Sequence, residues 1–164
     1  MDVPIQGELL QGLVRACDRV ADGLVRVAEE MHRSNLVQMH RLFAEQLDRS
    51  IEEPPLAVAL STLSGISEGK RQQMLFANKQ YGLILLSYRI GATDRRELLA
   101  ALKILSWNPI FAEYWERTAE HRGVLPAESL EARVGRAVDA IMDERLDELD
   151  EWWVVGLGSE PSPG

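Results

Sequence analysis

Apolar residues recur every three or four positions along nearly the whole chain, and no segment shows the two-residue alternation of a β-strand. A period near 3.6 residues belongs to an α-helix that buries one face. The length of 164 residues suits one domain. The sequence therefore predicts an all-α fold, namely a single-domain bundle of six to seven helices.

The most regular periodicity lies in residues 1–33, where seven successive a and d heptad positions are apolar or cysteine. Val14, Ala21 and Ala28 widen this stripe along one side. A strict two-stranded coiled coil needs only the a and d positions, so the wider stripe suits a bundle or docking against a globular body. We therefore predict a long amphipathic helix for docking or oligomerisation, in cis or in trans. Its interface residues are Leu10, Leu13, Cys17, Val20, Leu24, Val27 and Met31.

Residues 34–150 are predicted to form the helical bundle. The apolar phase changes at Ser34-Asn35, so the next helix, ending before Pro54, either follows the first or continues it after a bend. The segment from Lys70 to Ile90 is apolar on most sides, which places it at the centre of the bundle. The remaining helices are predicted over residues 55–63, 94–105, 109–121 and 126–150. Gly91 is predicted to end the central helix, Asp94 and Glu97 to cap the next one, and Asn108-Pro109 to open the one after it. Residues 151–164 are predicted to be an apolar patch followed by a flexible tail.

Charge and composition exclude several classes of protein. The net charge is -8, and the middle of the chain, residues 54–123, has nine basic and six acidic residues without a dense basic patch. We therefore predict no nucleic-acid partner. No apolar run approaches the ~20 residues of a membrane span, so no integral membrane segment is predicted. A lone cysteine and the absence of a secretory signal indicate a cytoplasmic protein.

The central helix carries the best candidate for a ligand site. Polar side chains lie on one side of it, around Gly82, which leaves room beside them. Polar groups on a buried helix need partners, so these residues form either an internal hydrogen-bond network or a small pocket. The aromatic residues Trp107, Tyr114 and Trp115 either line such a pocket or fill the core, and the core is the favoured place for them. The candidate ligand-binding residues are Asn78, Tyr81, Tyr88, Arg89 and Trp115.

No motif for catalysis, metal binding or a cofactor stands out. The segment from Gly65 to Arg71 differs in spacing from a phosphate loop and follows no strand. Glu29 and His32 have the spacing of a bundle metal motif, but no second copy of the motif exists. We predict no catalytic residues, no metal site and no cofactor, and an enzyme is the less favoured class.

Three short patterns resemble a known family. They are Pro54-Pro55-Leu56-Ala57, then Phe76-Ala77-Asn78 leading through Tyr88 to Gly91, and Asn108-Pro109 followed by Tyr114-Trp115-Glu116-Arg117. Over residues 38–123 the chain resembles a bacterial family of small helical proteins classed as a domain of unknown function. The resemblance implies no catalytic role, because the family has no established activity. It matches Asn78 and Trp115 to positions of the family's pattern. Many members look membrane-anchored by an apolar N-terminal helix, whereas this chain has its amphipathic helix there.

The wide stripe from Leu10 to Met31 and the absence of a catalytic motif favour a non-enzymatic interaction or scaffold protein. Such a protein would self-associate through its N-terminal helix as a homo-oligomer. The alternative is a small-molecule-binding or sensory bundle that uses the polar face of the central helix. Trp152-Trp153 near the C-terminus either folds back onto the body or docks a protein partner.

Overall fold

The computed structural model describes the backbone of residues 3–156 and the side chains of residues 7–145. In this part of the chain every regular element is an α-helix, which confirms the all-α prediction. The chain separates into two compact units, Met1–Arg41 (the N-terminal unit) and Leu42–Gly164 (the bundle unit). The helices are α1 (Val3–Glu52), α2 (Pro54–Leu60), α3 (Glu68–Arg89), α4 (Arg95–Ser106), α5 (Pro109–Arg117), α6 (Ala119–Gly123) and α7 (Leu130–Gly156).

Helix α1 is one helix of 50 residues that runs through Ser34-Asn35 without a break. Of the two possibilities that the sequence left open, the continuous helix is observed. Serine and asparagine cost a helix only a few tenths of a kcal/mol more than alanine does, so the phase change moves the apolar face without ending the helix. At the end of α1, Leu47 is buried with Ala57 of α2 and Leu75 of α3.

Helix α3 packs against α2, α4 and α5 and is the central helix of the bundle unit, as predicted. Its outer side is less buried than the sequence suggested, because Phe76 and Leu83 are about half exposed. The main core joins α3, α4, α5 and α7. Its buried members are Ala77, Leu85, Leu98, Leu102, Phe111, Trp115, Val134 and Val138.

Local signals set several helix ends as predicted. Asp94 and Glu97 form a capping box at the start of α4. The side chain of Asn108 accepts from the first backbone N–H groups of α5, and Pro109 occupies the first helical turn. Gly91 follows α3 with a φ of 76°, a left-handed conformation that favours glycine.

The predicted helix over residues 109–121 is wrong in one respect, because it divides at Thr118 into α5 and α6. The Thr118 hydroxyl donates to the Tyr114 carbonyl oxygen at 2.8 Å, beside the Thr118 backbone N–H at 3.1 Å, and such an added side-chain bond bends a helix. Trp107 also differs from its predicted place in the core. It caps the end of α4 and is 60% exposed.

Helix α7 starts at Leu130, four residues later than predicted, and packs against α4 and α6. Its acidic side chains pair with basic residues of the middle of the chain: Glu131 with Arg89, Asp139 with Arg122 and Glu144 with Lys103. The backbone of residues 151–156 continues α7. The side chains of Trp152 and Trp153, and the predicted tail after residue 156, lie outside the described residues.

Candidate functional site

A cleft of about 310 Å³ opens in the bundle unit between α3, the α5–α6 segment and the loop that follows α2. Helix α3 presents one face to it because residues seven positions apart are separated by almost two whole turns. Arg71 and Asn78 lie on this face, with Met74 and Leu75 between them. The cleft is therefore built by the central helix that the sequence singled out.

Asn78 shows that the polar face is partly an internal network. The Tyr114 hydroxyl donates to Asn78 Oδ1 at 3.0 Å. Burial raises the pKa of Tyr114 to about 12, so this hydroxyl keeps its proton at neutral pH. The amide nitrogen of Asn78 donates to no side chain in the described part of the chain, and the residue lines the cleft. Network and cleft thus share one asparagine.

Tyr81 contributes both a wall and a hydroxyl. Its ring meets Trp115 edge-on with centroids 5.2 Å apart. Burial, followed by the neighbouring Tyr114, raises the pKa of Tyr81 to about 12. Its hydroxyl has no hydrogen-bond partner among the described residues, and its oxygen is not fully buried. Because Tyr81 lines the cleft, the cleft gives access to this hydroxyl.

The wall behind Tyr81 is a cluster of Trp115, Arg122 and Asp139. The Trp115 indole N–H donates to Asp139 Oδ1 at 2.6 Å, and the Arg122 guanidinium lies 3.6 Å from the Trp115 ring centroid. Arg122 Nη1 also donates to the Trp115 carbonyl oxygen at 2.5 Å. Burial lowers the pKa of Arg122, which Asp139 opposes, and the group stays charged. The cluster fixes the indole by a hydrogen bond and a cation–π contact.

The structure brings together three of the five candidate ligand residues. Asn78, Tyr81 and Trp115 line the cleft. Tyr88 packs against the main core. Arg89 is exposed and pairs with Glu131, whose side chain is itself part of the lining.

The sequence did not single out Arg71, Arg122 or Glu131 as lining residues. Arg71 has a weak sequence signal, since it lies seven residues before Asn78 on the same helix. Arg122 and Glu131 have none, because they reach the cleft from α6 and α7 only through tertiary packing.

The two tyrosines predict how the bundle responds to alkali. Their pKa values are about 12 in the fold and 10.0 in an ordinary setting, so unfolding releases protons between these values. The stabilisation is fully present below pH 10 and is lost as pH rises through 12. We expect the free energy of unfolding to fall over this window. In a chain with Tyr81→Phe and Tyr114→Phe the fall should be smaller, as measured by urea titration at fixed pH. Equal slopes in both chains would contradict this account.

The apolar stripe of α1 is the second candidate surface. Six of its side chains are between 56% and 64% exposed, and Cys17 is exposed as well. The described part of the N-terminal unit consists of α1 alone, so this unit holds no second element that covers the stripe. The six side chains are Leu10, Leu13, Val20, Leu24, Val27 and Met31.

The described residues form neither a cluster of metal ligands nor a membrane-spanning helix. No three His, Cys, Asp or Glu side chains of the described residues lie together as metal ligands would. No described helix is both long enough and apolar enough to cross a membrane.

Comparison with known proteins places the chain in a family. The model of a family of unknown function, DUF6082, matches residues 13–151. The chain belongs to this family. The match extends beyond residues 38–123, over which the resemblance was seen, and takes in most of α1 together with the bundle. The prediction of a family of unknown function is confirmed. No curated protein and no solved structure matches the chain.

Proposed function

We propose that this member of the DUF6082 family is a non-enzymatic cytoplasmic scaffold protein that forms a homodimer through the apolar stripe of α1. The observation that carries the proposal is the exposure of six aliphatic and methionine side chains along one face of a unit that is a single helix. No catalytic motif competes with this function in the sequence.

A single helix cannot bury its own apolar face. Helices in proteins gain most of their stability from packing that face against another element. Complete burial of a leucine, valine or methionine side chain contributes about 1.5–3 kcal/mol. Six of the seven stripe positions from Leu10 to Met31 carry such a side chain, and the seventh is the smaller Cys17. Burial of these side chains favours pairing by the amount that it exceeds the cost of bringing two chains together.

A second copy can pair with the a and d positions of the stripe, although the full stripe is wider than a strict two-stranded coiled coil needs. The stripe keeps its heptad phase from Leu10 to Met31, a length of about 32 Å at 1.5 Å per residue. An identical helix carries the same phase, so its a and d side chains match along the full length. A symmetric pair also closes on itself and leaves no free stripe.

The residues that flank the stripe are mostly small and uncharged. One side carries Val14, Ala21 and Ala28, and the other carries Ala16 and Gly23. Such small side chains allow two helices to approach closely. Glu30, the acidic residue on this border, already pairs with Arg33 of its own helix at 2.6 Å.

Cross-linking through the single cysteine of the full chain tests the proposal. Cys17 occupies an a position of the stripe, so a short bismaleimide should join two copies efficiently. We expect the yield of covalent dimer to stay constant on dilution while the dimer persists.

The matched control moves the thiol to the other face of α1. A chain with Cys17→Ser and Asp22→Cys carries its thiol about 140° around the helix from the original position. It should give little cross-linked product. Equal yields from the two chains, or a yield that falls in proportion to concentration, would refute the proposal.

A further inference from the structure

The cleft of the bundle unit has the size and lining of a small-ligand site. Its volume of about 310 Å³ lies at the lower end of the range for ligand pockets. Apolar side chains form much of its wall, including Leu60 at the end of α2, Leu63 from the loop after it, Met74 from α3 and Leu125 after α6. A ligand for this cleft needs an apolar body.

Charge decides what the other end of the ligand must be. Glu131 is paired with Arg89, and Arg122 is paired with Asp139. Arg71 is different, because its Nη1 donates to the Leu63 carbonyl oxygen at 2.7 Å and no carboxylate of the described residues pairs with it. Arg71 therefore brings one partly buried and unneutralised positive charge to the cleft.

Two further polar groups on α3 are available as hydrogen-bond donors. The Asn78 amide nitrogen and the Tyr81 hydroxyl both belong to lining residues, and neither donates within the described part of the chain. These two residues lie seven and ten positions after Arg71 on the same helix, which is about 10 and 15 Å along its axis. They can meet a polar group on the body of a ligand, while the unneutralised cation at Arg71 fits a single carboxylate. A phosphate dianion would leave one of its charges unmatched.

We propose that the cleft binds a small monocarboxylic acid with an apolar body, and that Arg71 recognises its carboxylate. The guanidinium supplies the charge, and the leucine and methionine walls take the hydrocarbon. This site is separate from the stripe of α1 and does not depend on the proposed dimer.

Octanoate and octanol are matched probes, because they differ only in the charged head group. Each is titrated into the isotope-labelled full chain at pH 7, and the Kd follows from shifts of the Asn78 and Tyr81 backbone amides. We expect octanoate to bind at least about tenfold more tightly than octanol, since hydrogen bonds to an ionised acceptor are the stronger kind.

Variants assign this preference to Arg71. Arg71→Gln should lose the preference for octanoate while its affinity for octanol stays unchanged, and Arg71→Lys, which keeps the charge, should retain part of the preference. Arg96→Gln removes an exposed arginine of α4 that is not in the lining and should behave as wild type. Equal affinities for the two probes in the wild-type chain would overturn the proposal. So would a preference that survives Arg71→Gln, loss of octanol binding with that change, or a folded Arg71→Lys chain without any preference.

Discussion

Replacing Phe111 with alanine is expected to lower the free energy of unfolding of the bundle unit by about 3–5 kcal/mol. Phe111 is 1% exposed and belongs to the main core. Its ring lies 5.6 Å from that of Trp115 and 6.2 Å from that of Tyr81, measured between centroids. Truncation removes these contacts and leaves a cavity beside Tyr81 and Trp115, two residues that line the cleft. Urea unfolding followed by circular dichroism measures the loss.

Trp107→Ala is the control for this truncation. It also removes a large aromatic side chain, but Trp107 is 60% exposed at the end of α4. Trp107→Ala should lower the free energy of unfolding much less than Phe111→Ala does, because Trp107 buries less apolar surface in the fold. If the two changes cost the same, the core is not organised around Phe111.

Replacing Leu24 with aspartate is expected to weaken dimerisation at least about a hundredfold. Leu24 is an exposed a position at the centre of the stripe. In the dimer both copies would place a carboxylate in the apolar interface, where an unpaired charge is strongly disfavoured. Sedimentation velocity over a concentration series measures the change in Kd.

Val25→Asp is the matched control, because it adds the same charge at the next residue. Val25 is similarly exposed but lies about a quarter of a turn around the helix from Leu24, outside the a and d positions. We expect its Kd to stay within a few-fold of wild type. Equal weakening by both changes would show that added charge, and not the stripe, governs association.

The helix ends that could be predicted from the sequence are those set by local interactions. The capping box of Asp94, the start of α5 at Asn108-Pro109 and the end of α3 at Gly91 each depend on residues within a few positions. The central place of α3 also followed from the sequence, because the apolar content of residues 70–90 is a property of that segment alone.

Prediction stopped where distant segments meet. Trp115 bonds to Asp139, 24 residues away, and Arg122 lies over the same indole. Nothing in the spacing of these residues indicates the contact, because it depends on how α7 packs beside α5 and α6. The same holds for Glu131, which reaches the cleft from α7, while Tyr88, predicted for the site, turns to the core.

The proposed dimer pairs two chains through α1. Sedimentation equilibrium of the unmodified full chain tests it most directly, because it reports mass without assumptions about shape. We expect a mass of twice the 18.4 kDa of one chain, falling toward one chain only at high dilution. A mass of 18.4 kDa at every concentration would contradict the account and would leave the stripe of α1 to a partner other than a second copy.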